Sequence, residues 1–348
     1  MPKVSVIIPN YNHARFLEQR IDSILNQTFQ DFEIILLDDR STDNSQEVIT
    51  KYANHPRLSH IIFNEINSNS TFKQWNKGIA LATGEYIWIA ESDDYARPKF
   101  LEKLVPVLDR HHHVGLVYCQ SFIIDEAGKV LSENFLACTD CFDRHRWTAD
   151  YENDGKNECT NFLAGKNIIP NASAVLIRKS VYQSEIDRDN EAFKVAGDWF
   201  TWSRILLAAD IYFVAESLNH FRSCEDSVSR TSSKLQIVVK ESLAIFNQLQ
   251  ARVNISPSTR KVFFELVSNW WLSYYILGGN SPENTETDYE RQLLLISTDR
   301  ISALNFRWRV LMVPLKRFRY KLKLGTRVRD WKSKIADTVI NLTGLTKS

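Results

Sequence analysis

The N-terminal part of the chain alternates between short apolar runs and amphipathic stretches. Val4-Ser5-Val6-Ile7-Ile8 is a buried-strand pattern stopped by Pro9-Asn10-Tyr11-Asn12, after which Phe16, Leu17, Ile21, Ile24 and Leu25 recur on one helical face. Glu33-Ile34-Ile35-Leu36-Leu37 is a second strand ending at Asp38-Asp39. Arg40 to Ser45 is rich in turn residues and good N-caps, and leads to a helix carrying Val48, Ile49 and Tyr52. Leu58 to Phe63 predicts a third strand, Phe72 to Ala82 a third helix, and Tyr86 to Ala90 a fourth strand. Such βαβα alternation predicts an α/β fold with a parallel sheet, whose ligands bind at the carboxyl ends of the strands.

The pattern then loosens. Val114 to Tyr118 is strand-like, Asp125-Glu126-Ala127-Gly128 reads as a hairpin, and Cys138 to Lys156 is a long polar stretch with few periodic apolar positions. Asp198 opens a helix whose Trp202, Ile205, Leu206 and Ala209 face inward, followed by a closing strand at Tyr212 to Ala215 and a loop at His220 to Arg222. From residue 232 helical periodicity takes over, through Leu235, Val238, Val239, Leu243 and Phe246 and again from Phe263 to Leu277. The tail from Ile301 sets Leu304, Trp308, Leu311, Leu315, Phe318 and Leu322 among many Lys and Arg residues, a basic amphipathic pattern that suits an anionic membrane surface, with a tail helix packed on the protein as the alternative reading. We therefore expect a catalytic domain over 1–231, a helical appendage over 232–300 and a basic amphipathic tail over 301–348.

Composition narrows the class. The 348 residues are 44% hydrophobic and 24% charged, enough for a sizeable core, and the net charge of +1 gives no pull toward nucleic acid. Five cysteines form no regular framework, and Met1-Pro2-Lys3 leads straight into a strand, so a reduced, cytoplasmic protein is expected. Cys138 and Cys141 have no second pair at zinc-finger spacing and read as ordinary thiols. No apolar run approaches the roughly 18 to 20 residues needed to span a bilayer. His111-His112-His113 reads as a solvated helix end, because consecutive side chains point in different directions.

The candidate chemistry lies at the strand ends. Glu91-Ser92-Asp93-Asp94 follows the fourth strand, and carboxylates so crowded need full solvation or a cation; hard oxygen ligands suit Mg²⁺ or Mn²⁺. No Gly-x-Gly-x-x-Gly or Gly-Lys-Ser/Thr loop follows the first strand, which argues against nicotinamide-type and P-loop sites.

Four segments together, Val4 to Asn12, Ser23 to Thr28, Leu37 to Asp43 and Gly84 to Asp94, resemble the family 2 glycosyltransferases of the GT-A fold in order, spacing and motif identity over roughly the first 110 residues. Arg40 stands where that family usually has glycine, and Glu91 where it usually has the first aspartate of Asp-x-Asp. The resemblance implies a metal-dependent, inverting enzyme with a nucleotide diphosphate sugar donor, UDP-linked by first expectation. Asp93 would hold the metal that bridges the diphosphate. Asp39 would accept a hydrogen bond from the base, with Pro9, Tyr11 and Asn12 shaping its pocket and Glu91 and Ser92 beside the metal. Lys73 is a candidate diphosphate contact, and His220 or Arg222 a further one.

Asp198 matches the family's general base, with the helix N-cap as its alternative reading. The expected acceptor is a growing surface polysaccharide or lipid-linked glycan on the inner membrane face. The alternative is a non-catalytic nucleotide or glycan binding module on the same fold.

Overall fold

A computed structural model describes residues 1–223, 232–276, 285–297 and 300–311. They form two compact units. The first comprises residues 1–139, 143–158 and 169–223; the second takes 140–142, 159–168 and the described residues beyond 223.

The first unit is built on one sheet of mixed direction, with strand order β3-β2-β1-β4-β9-β6-β10-β5. β1 (Val4–Asn10), β2 (Phe32–Asp38), β3 (Leu58–Phe63) and β4 (Tyr86–Ile89) are parallel. Every residue of β1, β2 and β4 is buried, which is why these strands read as continuous apolar runs: helices cover both faces. Their crossovers are α1 (Ala14–Leu25), α2 (Ser45–Lys51) and α3 (Thr71–Leu81). Gly84 is required at the entry to β4, since a Cβ there would sit 2.7 Å from Ser5 N.

The second half of the sheet departs from the all-parallel expectation. β5 (Tyr95–Ala96) and α4 (Phe100–Arg110) precede the long β6 (Val114–Ile124), and the hairpin turn at Asp125–Gly128 leads to β7 (Val130–Ser132) on the edge of β6. α5 (Leu136–Thr139), β8 (Tyr151–Asn153) and α6 (Gly155–Glu158) fill the polar stretch. β9 (Val175–Arg178) inserts antiparallel between β4 and β6. α7 (Lys179–Glu185) and α8 (Gly197–Ala208) lead to β10 (Asp210–Arg222), one strand that takes in both the expected closing strand at Tyr212 to Ala215 and the His220-Phe221-Arg222 segment expected to follow it as a loop. β10 runs parallel to β6 and antiparallel to β5 and β8. Because β9 is antiparallel to both β4 and β6, strands β6 and β10 run in the same sense as β1.

In the second unit, α9 (Ser232–Gln250), α10 (Pro257–Ile276), α11 (Thr285–Ile296) and α12 (Arg300–Leu311) are helical, and Phe246 stacks on Phe263 with ring centroids 4.2 Å apart. Among the described residues no helix is long and apolar enough to cross a membrane. The expected domain boundary at 231, the helix end at Gly278-Gly279 and the tail beyond residue 311 lie outside the described residues.

Candidate active site

Three strand ends build one rim. β1 ends in Asn10, β2 in Asp38, and the chain leaves β4 through Ala90 into Glu91-Ser92-Asp93-Asp94. The first two loops are knitted together. Buried Asn10 donates from Nδ2 to Asp38 Oδ1 at 2.9 Å, Asn12 N donates to Ser41 Oγ at 2.9 Å, and Thr42 N donates to Asn12 Oδ1 at 2.7 Å. Asn12 and Arg40 both adopt left-handed backbone, φ 58° and 62°. Asparagine tolerates that region through its short side chain, whereas arginine is strained there, at the place where the resembling family has glycine. Pro9 is buried in the strand end, and Tyr11 stands 48% exposed on the loop, its ring open to a stacking partner.

Asp39 is buried and well satisfied. It accepts from Asn64 Nδ2 at 2.7 Å, from Ser68 Oγ at 2.7 Å, from Ser68 N, and from Gln74 Nε2 at 3.0 Å. Ser68 and Gln74 also line a cavity of about 1040 Å³ whose wall includes Lys73, Lys77 and Arg188. Lys73 is exposed on the first turn of α3 and lines this cavity, whose wall also carries Glu65 and Asp187 and which the acidic loop does not line.

The acidic loop is held from several sides. Ser92 is buried and its Oγ lies 2.8 Å from His13 Nδ1, tying the loop after β1 to the loop after β4. Asp94 is buried and accepts from Arg222 N at 2.8 Å. The Arg222 guanidinium donates to the Asp93 carbonyl at 2.8 Å, to the carbonyls of Asp125 and Glu126 at 3.0 and 2.9 Å, and to Gln19 Oε1 at 2.9 Å. It also lies 4.2 Å from the Phe16 ring centroid. Arg222 therefore braces the loop from behind, a role different from the diphosphate contact expected of it. His220 is likewise packed away, between Tyr95 at 4.0 Å and Phe122 at 4.7 Å between centroids.

Electrostatics mark the same loop. Burial, then the neighbouring Asp93, pushes Glu91 up to about 8; burial also raises Asp93 and Asp94. Beneath them lies Arg20, fully buried, 5.2 Å from the Trp88 ring centroid, its three guanidinium nitrogens without a hydrogen-bond partner. Burial lowers Arg20 to about 10, and the three carboxylates oppose that fall. The donor types here suit a divalent cation. Glu91 and Asp93 keep partial access to solvent, and all the oxygens are hard ligands.

An aromatic bridge joins the loop to α8. Trp75 Nε1 donates to Glu91 Oε1 at 2.8 Å, Phe72 meets Trp75 edge-on at 5.1 Å, and Trp75 lies 6.2 Å from Trp202. A Cβ on Gly197 would enter the Phe72 ring, so α8 begins hard against α3. Asp198 is the second residue of α8, partly exposed, and its Oδ1 accepts from Trp199 N at 2.7 Å. The residue before the helix, Ala196, makes no side-chain cap, so Asp198 sits in the first turn, where the helix dipole favours a carboxylate. From the other side Ser173, at the amino end of β9, takes Glu91 N on its Oγ at 3.2 Å and Trp88 Nε1 on its carbonyl at 2.8 Å.

Sequence reading missed Arg20, His13 and Trp75. Arg20 occupies what looks like a polar helix position, and nothing in its spacing signals burial.

The profile of Glycosyl transferase family 2 matches residues 5–183. Glycosyltransferase GlyG of Streptococcus pneumoniae is 30% identical over 241 residues, covering 67% of this chain and 74% of its own. Putative glycosyltransferase EpsE of Bacillus subtilis is 39% identical over 129 residues, 36% of this chain and 46% of its own. Chondroitin synthase of Pasteurella multocida is 33% identical over 136 residues, 39% of this chain and 14% of its own. The chain spans about half the length of several curated relatives it matches, 44% to 46%. Among solved structures, S. aureus TarS 1-349 in complex with UDP superposes with TM-score 0.60 at 19% identity, over 90% of this chain and 88% of that one. A Pyrobaculum calidifontis mannosyltransferase in complex with GDP-Man and Mn²⁺ gives 0.53 at 15% identity, over 99% and 86%. At these identities the structural likeness shows a shared GT-A fold.

Proposed function

Since the chain belongs to glycosyl transferase family 2, we propose that it is a metal-dependent, inverting glycosyltransferase moving a sugar from a nucleotide diphosphate, UDP first, to a hydroxyl of a growing glycan. The observation that carries this reading is the acidic loop, whose Glu91 and Asp93 reach solvent at the strand-end rim while Trp75 links them to the helix bearing Asp198. A UDP-bound fold relative and a chondroitin-synthase relative support the donor and acceptor classes.

In this reading Tyr11 stacks on the base, Pro9 and Asn12 shape the pocket, and Asp39, already oriented by Asn64, Ser68 and Gln74, takes the base's N–H. Asp93, with Glu91 and Ser92 beside it, would hold Mg²⁺ or Mn²⁺. When bound, that ion supplies positive charge to the departing diphosphate. Asp198 accepts the acceptor hydroxyl's proton as its oxygen attacks the anomeric carbon and the bond to the diphosphate breaks, inverting that centre. Lys73, on the cavity that Ser68 and Gln74 line, is the proposed contact for the donor's outer phosphate charge.

The proposal includes a peripheral membrane contact: α12 packs Phe306 against Phe264 of α10 at 5.8 Å between ring centroids, and its Leu304 and Trp308, each 62% exposed, are left for a lipid surface. Screening nucleotide sugars for nucleotide release with and without Mg²⁺ or Mn²⁺ tests the proposal. Metal-dependent release from one donor supports it; no release from any donor, with or without a glycan acceptor, overturns it.

A further inference from the structure

The rim opposite the acidic loop carries a second cluster of titratable groups. β6 and β10 run in the same sense as β1, so their first residues lie at the amino-end rim, away from Glu91 and Asp93. There His111 Nδ1 lies 2.6 Å from Glu152 Oε2, and His113 Nε2 lies 2.5 Å from Glu152 Oε1. Asp210 Oδ2 is a further 3.9 Å from His113 Nε2. The ligand atoms of His111, His113 and Glu152 all lie within 4.8 Å of one another. Consecutive histidines do diverge, but His111 to Val114 form a turn closed by Val114 N donating to His111 O at 3.0 Å, which brings the rings of His111 and His113 to 6.0 Å between centroids.

We propose that His111, His113 and Glu152, with Asp210 in reach as a fourth ligand, form a Zn²⁺ site distinct from the carboxylate loop. Two imidazoles and a carboxylate suit a borderline cation such as Zn²⁺, whereas Mg²⁺ prefers oxygen alone. Zinc ligands lie about 2.0–2.2 Å from the ion, so two of them on a tetrahedral centre stand about 3.4 Å apart. The observed separations bracket that value, and small side-chain rotations admit the ion.

The backbone is already fixed. His111 N donates to Val107 O at 2.9 Å, Asp210 N donates to His113 O at 3.0 Å, and Glu152 is in register with Tyr212 across β8 and β10. A cation here would pin the end of α4 to β8 and β10. In its absence the same groups pair as hydrogen bonds, so protons and metal compete for one set of lone pairs.

The full chain, titrated with ZnCl₂ at neutral pH in excess Mg²⁺ to occupy carboxylate sites, should bind one Zn²⁺ per chain and melt at higher temperature. His111→Ala, His113→Ala and Glu152→Gln, all at solvent-accessible positions, should each weaken binding by about tenfold or more and abolish the melting shift. Co²⁺-loaded protein should show d–d bands without thiolate charge transfer. No Zn²⁺ binding, or binding unchanged in all three variants, overturns the proposal. A thiolate band lost on changing Cys138 or Cys141 overturns it too.

Discussion

Arg222 Nε donates to the main-chain carbonyl of Asp93 at 2.8 Å, while the same guanidinium holds both carbonyls of the β6–β7 turn. One side chain at the end of β10 thus fixes where the Asp93 carboxylate is presented. Lysine keeps the charge but lacks the planar fork. Arg222→Lys should weaken metal-dependent donor binding by about tenfold with the fold retained by circular dichroism. Calorimetry finding wild-type donor affinity alongside a fallen kcat would contradict a positioning role.

Asp198→Asn keeps size and the bond to Trp199 N but removes the proton acceptor. Sugar transfer should drop by about 10²-fold or more, with donor affinity and melting temperature near wild type. Near-normal transfer would leave Asp198 a helix-start residue only.

Arg40 carries a side chain in left-handed backbone, φ 62°. Arg40→Gly should raise stability by about 1 kcal/mol in urea unfolding, while Arg40→Ala, which keeps a Cβ, should not. Equal effects of the two would locate the change in the arginine head group instead of the backbone.

His220 is pushed down to about 4, first by burial, opposed by a backbone bond at Tyr95 and reinforced by Arg97 and Arg222. Its folded value lies below its unfolded value of about 6.5, so protonation favours the unfolded chain. Stability from this group is present above pH 6.5 and is lost as pH falls toward 4. His220→Phe keeps the stack between Tyr95 and Phe122 and should flatten the melting temperature over that window. A variant as acid-sensitive as wild type would assign the loss elsewhere.

The exposed pair Leu304 and Trp308 on α12 should contribute to membrane attachment. Changing both to Asp should reduce co-sedimentation with anionic vesicles, and added salt should weaken binding of the unmodified chain. Sedimentation indifferent to both would leave α12 without that role.

Much of the first unit was legible because β1, β2 and β4 are buried throughout and the early strands end in polar stops. The runs Val4 to Ile8 and Glu33 to Leu37 lie inside β1 and β2, and Leu58 to Phe63 coincides with β3. What periodicity cannot carry is strand direction or partner. The antiparallel β9 was invisible, as was the convergence of Glu152 on histidines some forty residues earlier. Glu91, Ser92 and Asp93 stood out as adjacent residues. Their supports, Arg20, Trp75, Ser173 and Arg222, come from four distant elements, and nothing in their spacing ties them to this loop until the sheet assembles them.

The bonds of Asn12 to Ser41 and Thr42 make the loops after β1 and β2 a single exchangeable part. A chimera that grafts one of these loops from a relative without the other strands the Thr42 N–H or the Asn12 carbonyl oxygen. Loops here must be inherited, or transplanted, in pairs.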